Sequence, residues 1–331
     1  SMRNVISWTT LIAGYVQHGY GLEALSCFDQ MQAHQVSPNA VSLVCALKAC
    51  GIVRALHKGL EIHGQIRRDL VLEENSLIVG ALVYMYTRCN MIELAKEAFN
   101  KPALRDVTLW TTLIAGHVQN GCYEEAIDLF EKMLHEGHTP NAATYSSILK
   151  ACGVIGTAEK GHTMFTEIDQ CDFLKTDIVL ANSVLDMYAK TGSIEKAHNL
   201  FDKLPGRDLV SWNTLISGNA YLGKYELVVS LFNKLITGGL IPDPTTFTLL
   251  LVSCNNAGFL DEAQFCFENM LNGSYGITPT LEHHVCIVDL FGRAGQVDKA
   301  VVVVNEMPFS THVTPWYAVM SDCHKWSNLG I

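Results

Sequence analysis

The 331-residue sequence has few charged residues and lacks any long hydrophobic run. Only 17% of its residues are charged and 49% are apolar, which excludes a disordered chain and a highly charged coiled coil. No apolar stretch approaches the roughly 20 residues of a membrane-spanning helix, so we expect no membrane span. The chain instead has the length and apolar content to bury a large core.

Paired cysteines and clustered basic residues are also missing. None of the 11 cysteines forms a Cys-x-x-Cys pair, and most lie in apolar helical patterns, so we interpret them as reduced and buried. Acidic residues outnumber basic ones by 33 to 23, and Arg67-Arg68 is the only adjacent basic pair. This balance argues against a protein that holds nucleic acid by charge alone, but it leaves recognition by hydrogen bonds and stacking open.

Catalytic and metal-binding motifs are absent as well. A nucleobase deaminase needs a His-x-Glu motif and a later Pro-Cys-x-x-Cys motif to hold zinc and transfer protons, and this sequence has no Cys-x-x-Cys. His135 and His138 are spaced like a weak metal pair, as are His283 and His284. Because neither pair has a third ligand, we interpret all four as surface histidines. The sequence therefore predicts no enzyme, no metal site and no other cofactor.

The most informative feature of the sequence is an internal repeat. The segments SWTTLIAGYVQHG from Ser7, LWTTLIAGHVQNG from Leu109 and SWNTLISGNAYLG from Ser211 place their tryptophans 102 residues apart. The same step relates Gly14, Gly116 and Gly218, and it relates Cys50, Cys152 and Cys254. Because so many identical residues recur at the same interval, the sequence indicates a repeat architecture.

Each 102-residue unit divides into parts of 35, 36 and 31 residues, and the third unit is slightly longer. The sequence thus predicts nine repeats, numbered 1 to 9 here: 5–39, 40–75, 76–106, 107–141, 142–177, 178–208, 209–243, 244–280 and 281–312. Residues 313–331 begin a further, truncated segment.

Every repeat has the pattern of two short helices. In repeat 1, Ile6, Leu11 and Ile12 belong to one apolar stripe, Gly19 interrupts it, and Phe28 belongs to a second stripe. Two helices of about a dozen residues cannot bury their apolar faces alone, so the pairs must stack on one another. The predicted fold class is an all-α solenoid of helix-turn-helix repeats.

The openings of the repeats distinguish two families of paired helices. Tetratricopeptide repeats have the motif W-x-x-L-G-x-x-Y, but here Trp8-x-x-Leu11 is followed by Ile12 and the glycine comes only at Gly14. Together with the uneven step, this resembles a pentatricopeptide repeat protein of the plant class that alternates standard, long and short repeats (the PLS class). The resemblance includes LKAC at 47–50 and 149–152, and LDMYAKTGSIEKAHNLFDKLPGRD from Leu185. TPWYAVMSDC in 313–331 resembles the start of an E-type extension.

The resemblance implies that the repeats form a right-handed superhelix. It also implies that the protein is located in a mitochondrion or chloroplast. It further implies sequence-specific binding of single-stranded RNA that specifies a cytidine for C-to-U editing. Implied partners are organellar editing accessory proteins of the MORF/RIP type and a DYW deaminase acting in trans. Two alternatives stay open, a protein-binding helical scaffold and an RNA splicing or processing factor without an editing role. Unpaired terminal repeats also predict a homodimer of this chain.

In the resembled family one repeat faces one base, which is read by the fifth and the last residue of the repeat. For standard and short repeats these pairs are Thr9/Asn39, Gly80/Asp106, Thr111/Asn141, Asn182/Asp208, Asn213/Asp243 and Val285/His312. For long repeats they are Val44/Asn75, Ser146/Asp177 and Thr248/Thr280.

The side-chain chemistry agrees with such a code. A carboxylate only accepts hydrogen bonds, so a last-position Asp suits uracil or guanine, whereas an Asn suits adenine or cytosine. In the family a fifth-position Thr or Ser accompanies purines and Asn accompanies pyrimidines. The resemblance therefore predicts 5′-A-x-x-A-(G)-U-U-x-x, with the bases opposite Val44, Gly80, Thr248 and Val285 undetermined. Helix capping is the alternative explanation for Asn and Asp at these positions.

Two further sets of side chains are implied by the resemblance. Apolar second residues would sandwich the bases, and basic thirteenth residues would contact phosphates. The sandwiching residues are Ile6, Val179 and Val210. The phosphate-contact candidates are Arg88, Lys190 and Arg293.

Overall fold

The computed structural model describes residues 4–102, 105–170, 177–273 and 276–308. Within these ranges the regular secondary structure is entirely helical, so the predicted all-α class is confirmed. None of the described helices combines the length and the apolar character required to cross a bilayer.

Two helices form each repeat, and each first helix begins at the first residue of a sequence repeat. The first helices are Val5–Gln17, Ala40–Val53, Ser76–Arg88, Val107–Gln119, Ala142–Ile155, Ile178–Lys190, Leu209–Tyr221, Pro244–Ala257 and Leu281–Arg293. The second helices are Gly21–Ala33, Leu56–Ile66, Ile92–Asn100, Tyr123–His135, Ala158–Gln170, Ile194–Lys203, Tyr225–Thr237, Leu260–Leu271 and Val297–Glu306. A one-turn helix, Leu70–Glu73, precedes repeat 3.

The chain divides into two compact units, Ser1–Lys160 and Gly161–Ile331, and the division falls in the second helix of repeat 5. In the first unit, successive first helices pack directly on one another, and second helices pack on the following first helix. Ile12, Phe28 and Trp110 are fully or almost fully buried between these layers. Burial of these large side chains is the main stabilising contribution of the stacked repeats.

The second unit repeats this arrangement in its own four first helices. Its C-terminal part has a core in which Phe267 from one repeat packs with Ile287 and Phe291 from the next. Because first helices contact each other and second helices cover one side, the second residue of a first helix stays outside the core. The candidate interface lies on the surface that these second residues form.

The repeated cysteines are part of the core. Cys50, Cys152 and Cys254 are buried free thiols. Burial is the main reason that the pKa of Cys50 and that of Cys254 are raised to about 12. The interpretation of these three as buried is confirmed.

Candidate nucleic-acid interface

The last residue of a repeat caps the first helix of the next repeat. In each case Oδ1 of the Asn or Asp accepts a hydrogen bond from the backbone N–H three residues further on. The distances are 2.8 Å for Asn39, Asp106, Asp208 and Asp243, 2.9 Å for Asn141 and 3.0 Å for Asp177. These residues are therefore helix N-caps, as the alternative interpretation of the sequence stated.

Capping leaves a different free group on Asn and on Asp. When Oδ1 of Asn39 or Asn141 accepts the cap hydrogen bond, the amide NH₂ is the group that remains, and it only donates. When Oδ1 of Asp208 or Asp243 accepts it, the remaining group is Oδ2, which only accepts. Among the described residues no hydrogen bond reaches Oδ2 of Asp208 or Asp243. Capping and base readout can therefore coexist in one side chain.

The fifth and last residues meet directly in repeats 6 and 7. Nδ2 of Asn182 donates to Oδ1 of Asp208 at 3.1 Å. Nδ2 of Asn213 donates to Oδ1 of Asp243, also at 3.1 Å. Each amide has a second N–H and each carboxylate a second oxygen outside this bond, so each pair retains one donor and one acceptor.

The two carboxyl groups of these pairs are held in the ionised form. Partial burial alone would raise the pKa of Asp208, but hydrogen bonds from Ser211 and Asn182 more than compensate, and the pKa is lowered from its ordinary value. The pKa of Asp243 is lowered in the same way, with burial opposed by hydrogen bonds from Thr246 and Asn213. At neutral pH both groups are thus acceptors.

The threonine-containing pairs of repeats 1 and 4 are arranged differently. Thr9 and Thr111 each donate their hydroxyl to the carbonyl one turn earlier in the same helix, at 2.7 Å. Thr111 reaches Asn141 through Thr144, whose Oγ1 lies 2.7 Å from Thr111 Oγ1 and 3.0 Å from Asn141 Oδ1. In the described part of repeat 1, no hydrogen bond joins Thr9 to Asn39.

Two other predicted pairs stay predictions. Ser146 lies in the first unit and Asp177 in the second. His312, the partner assigned to Val285, lies outside the described residues, as does the segment 313–331.

Gly80 at the fifth position of repeat 3 leaves an open groove. The groove has a volume of about 510 Å³ and is lined by Val44, Lys48, Tyr84 and Asp106, among others. A Cβ atom on Gly80 would meet nothing within 4 Å. Repeat 3 therefore has room for a larger fifth residue.

The predicted base-sandwiching residues are exposed apolar side chains. Ile6, Val179 and Val210 have exposed fractions of 67%, 66% and 57%. Val41 and Leu77 occupy the same second position and are equally exposed, and the sequence reasoning did not single them out. Both could have been identified from the sequence, because they are apolar residues at the second position of repeats 2 and 3.

The predicted phosphate-contact residues already have partners within the protein. Lys190 forms an ion pair with Asp186 at 2.6 Å, and Arg293 Nε forms one with Asp289 at 2.9 Å. Arg88 donates to Gln119 at 3.4 Å. The phosphate role stays a prediction, and the carboxylates that partly neutralise two of these cations were not anticipated from the sequence.

The expectation of surface histidines is wrong for His283 and His284, which are both buried. Nδ1 of His283 accepts from the backbone N–H of Thr280, and its Nε2 lies 2.9 Å from the carbonyl oxygen of Pro244. Burial is the main reason that the pKa of His283 is lowered. Its side chain thus belongs to a hydrogen-bond network between repeats. In the part of the chain that the structure describes, no three His, Cys, Asp or Glu side chains are grouped to hold a metal ion.

Comparison with known families gives matches along most of the chain. Residues 3–51 and 105–153 match the PPR repeat family, and residues 179–209, 210–240, 245–273 and 284–310 match the PPR repeat. Together these segments amount to about two thirds of the sequence.

Curated relatives from Arabidopsis thaliana agree. One pentatricopeptide repeat-containing protein is 33% identical over 99% of this chain and 45% of its own length. Another, whose name includes "mitochondrial", is 32% identical over 98% of this chain and 58% of its own length. The chain thus spans about half the length of the curated relatives it matches.

Solved structures of low sequence identity show the same fold. The crystal structure of the pentatricopeptide repeat protein PPR10 in complex with an 18-nucleotide psaJ RNA element has a TM-score of 0.69. It is 19% identical and covers 96% of this chain and 52% of the PPR10 chain. The solenoid class predicted from the sequence is thereby confirmed.

Proposed function

Because the chain belongs to the pentatricopeptide repeat family, we propose that it binds single-stranded RNA and reads one base per repeat. The observation that most directly supports this is the paired geometry of repeats 6 and 7. There the fifth-residue amide donates to the last-residue carboxylate, and the second residue of the same first helix is an exposed apolar side chain. The fold relative PPR10 was crystallised with RNA, which agrees with this proposal.

The free groups match the Watson–Crick edges of particular bases. Uracil has one ring N–H beside two carbonyl acceptors, so Oδ2 of Asp208 or Asp243 accepts from N3–H while the Asn amide donates to a carbonyl. Adenine has an unprotonated N1, so the donor-only NH₂ of Asn39 or Asn141 suits it. The proposed target is 5′-A-x-x-A-(G)-U-U-x-x, in which Ser146/Asp177 favours the bracketed G.

Recoding repeat 7 tests this readout. Asn213→Thr combined with Asp243→Asn gives repeat 7 the same fifth and last residues as repeat 4, and Thr246 already matches Thr144. Because Asn caps a helix as well as Asp does, we expect little change in stability. The preferred nucleotide opposite repeat 7 should change from U to A, by about fivefold or more in affinity for each base. Titration of short RNAs that differ only at this nucleotide measures the effect.

A matched control is Asn233→Thr, which makes one of the same exchanges at an exposed position of the second helix of repeat 7. This variant should keep the preference for U. Equal binding of the unmodified chain to the proposed and to a scrambled sequence would contradict the assigned code.

The finer role follows from the sequence pattern. We propose that the chain acts in a mitochondrion or chloroplast and that its RNA undergoes C-to-U editing. The deamination would come from a DYW deaminase in trans, with accessory proteins of the MORF/RIP type as partners. A transcriptome-wide comparison of editing in a loss-of-function plant tests this. Unchanged editing with altered splicing or processing of one organellar transcript would favour the alternative role.

A further inference from the structure

A third side chain joins the fifth and last residues in several repeats. It is the third residue of the following repeat, which we call the bridging residue. In repeats 4, 6, 7 and 8 the bridging residues are Thr144, Ser211, Thr246 and His283. All four are fully buried, although each carries a polar side chain. Buried polar groups are generally hydrogen-bonded, which makes their partners informative.

The bridging hydroxyl donates to the asparagine amide in repeats 6 and 7 and so helps to hold its orientation. Ser211 Oγ lies 2.7 Å from Asn182 Oδ1 and 2.8 Å from Asp208 Oδ1. Because Nδ2 of Asn182 donates to the carboxylate, its Oδ1 faces the hydroxyl and needs that hydroxyl as a donor. Thr246 holds Asn213 identically, with 2.8 Å to Asn213 Oδ1 and to Asp243 Oδ1. Without the hydroxyl, Oδ1 of the asparagine would lose this donor, and the amide would be held in place only by its N–H bond to the carboxylate.

Repeat 4 has the same connection with different side chains. Thr144 links Thr111 to Asn141, as described for the candidate interface. In repeat 8 an imidazole replaces the hydroxyl. His283 Nε2 lies 3.2 Å from Thr248 Oγ1, and its Nδ1 lies 2.9 Å from Thr280 Oγ1. The fifth and last side chains of repeat 8 are thus also connected through the following repeat.

Repeats 2, 3 and 5 lack a polar bridging residue. The bridging position after repeats 2, 3 and 5 is held by Ile78, Leu109 and Leu180, which have no polar side-chain atom. After repeat 1 it is held by Ser42, whose hydroxyl donates to the backbone carbonyl of Asn39. A connected trio is therefore a property of particular repeats.

We propose that the bridging residue is a third specificity-determining position, which acts by positioning the fifth residue. This inference rests on the proposed function, because it assumes that Asn182 and Asn213 face bases. It assigns Ser211 to the reading of the nucleotide opposite repeat 6, and Thr246 to the reading of the nucleotide opposite repeat 7. In both repeats the bridging residue keeps an amide N–H directed toward a uracil carbonyl.

Removal of each hydroxyl tests the proposal. Thr246→Val and Ser211→Ala keep the backbone N–H that the carboxylate caps. The ratio of affinities for U and A is measured with short RNAs altered only opposite repeat 6 or only opposite repeat 7. Thr246→Val should reduce the ratio about 3- to 10-fold opposite repeat 7 and leave it unchanged opposite repeat 6. Ser211→Ala should show the reverse.

Two further variants separate positioning from folding. Thr246→Ser restores the hydroxyl and should restore the ratio. Ser7→Ala removes a hydroxyl at the same position of repeat 1, where it donates to Asn4, and should leave both ratios unchanged. Melting temperatures recorded in parallel show whether each variant is folded.

The outcomes distinguish the two proposals. The positioning role would be overturned if both hydroxyl-deleted variants kept the U-to-A affinity ratio of the unmodified chain. It would also be overturned if each variant lost the same amount of this ratio opposite repeat 6 and opposite repeat 7. In both cases the proposed readout would stand. Absence of any U-over-A preference in the unmodified chain would overturn the proposed function itself.

Discussion

At the residue scale, one side chain caps a helix with one atom and, in the proposed readout, would contact a base with another. Oδ1 of Asp208 caps a helix and Oδ2 is left for a ligand. This division explains why Asn and Asp both occur at the ends of the repeats. Both are good caps, whereas they differ in whether the remaining group donates or accepts.

The capping role and the reading role of Asp208 can therefore be separated by mutation. Asp208→Ala removes the cap and should lower the free energy of unfolding by about 1 kcal/mol, whereas Asp208→Asn should change it little. In RNA titrations Asp208→Asn should favour C over U opposite repeat 6. Asp202→Ala, an exposed change in the same repeat, is the control for chemical denaturation. Equal destabilisation by the Ala and Asn variants would contradict the assignment of the cap.

Part of this residue-scale chemistry could be predicted from the sequence. The pairing of Asn182 with Asp208 follows from repeat spacing together with the family resemblance. The choice of free oxygen could not be predicted, because it depends on which backbone N–H the carboxylate accepts. Nor could the burial of His283, since its partners Pro244 and Thr280 lie in the preceding repeat.

At the scale of elements, equivalent glycines have unequal surroundings. Gly14, Gly116 and Gly218 share the tenth position of a first helix. A Cβ atom on Gly116 would lie 2.3 Å from Cγ2 of Thr87, and one on Gly218 would lie 2.9 Å from Cβ of Ala189, each in the preceding first helix. A Cβ atom on Gly14 would meet nothing within 4 Å. The glycine is thus required where two first helices approach closely.

Alanine substitution at these glycines should give opposite results. Gly116→Ala should lower the free energy of unfolding by about 1–3 kcal/mol, because the added methyl group overlaps Thr87. Gly14→Ala should raise it by about 0.5–1 kcal/mol, because alanine favours the helix. Denaturant titration measures both effects. A loss of stability in both variants would contradict the packing described here.

A buried histidine joins repeats 2 and 3 at the same scale. Nδ1 of His63 lies 2.5 Å from the hydroxyl oxygen of Tyr86. Burial is the main reason that the pKa of His63 is lowered to about 4, and the nearby charges of Arg67 and Lys101 act in the same direction. The repeat pattern predicts this helix, but it does not reveal that its histidine is neutral.

The lowered pKa of His63 makes stability depend on pH. The unfolded chain takes up a proton near pH 6.5, whereas the folded chain does so only near pH 4, so stability falls as pH decreases between these values. We expect a loss on the order of 2 kcal/mol over this range, which His63→Gln should abolish. Tyr86→Phe should keep most of the dependence, because burial is its main cause. Melting temperatures at several pH values measure this pH dependence. If the melting temperature of His63→Gln fell with pH as steeply as that of the unmodified chain, the dependence could not be attributed to His63.

At the scale of the whole molecule, charge and fold lead to different expectations about binding. The net charge is −10, and two of the three proposed phosphate contacts are already paired with carboxylates. In the proposed RNA binding, affinity would therefore come mainly from hydrogen bonds and base contacts. The all-α repeat class followed from the sequence because apolar periodicity and the 102-residue step are properties of the chain itself.

The salt dependence of RNA binding should consequently be shallow. If Arg88, Lys190 and Arg293 contact phosphates, the slope of log K against log salt for a single strand is about −2. Titrations at several salt concentrations with the proposed target measure it. Arg293→Gln should reduce the slope, whereas Arg54→Gln should not. A slope steeper than about −4 would show that charge dominates binding.

The interchangeability of Asn and Asp as caps has a consequence for how such a protein changes over generations. The codons AAU and AAC for Asn differ from GAU and GAC for Asp at one nucleotide. Under the proposed readout, a single point mutation at position 39, 141, 208 or 243 would thus alter the preferred target while the helix keeps its cap. New RNA specificities could then arise by single point mutations, and every intermediate protein would still fold.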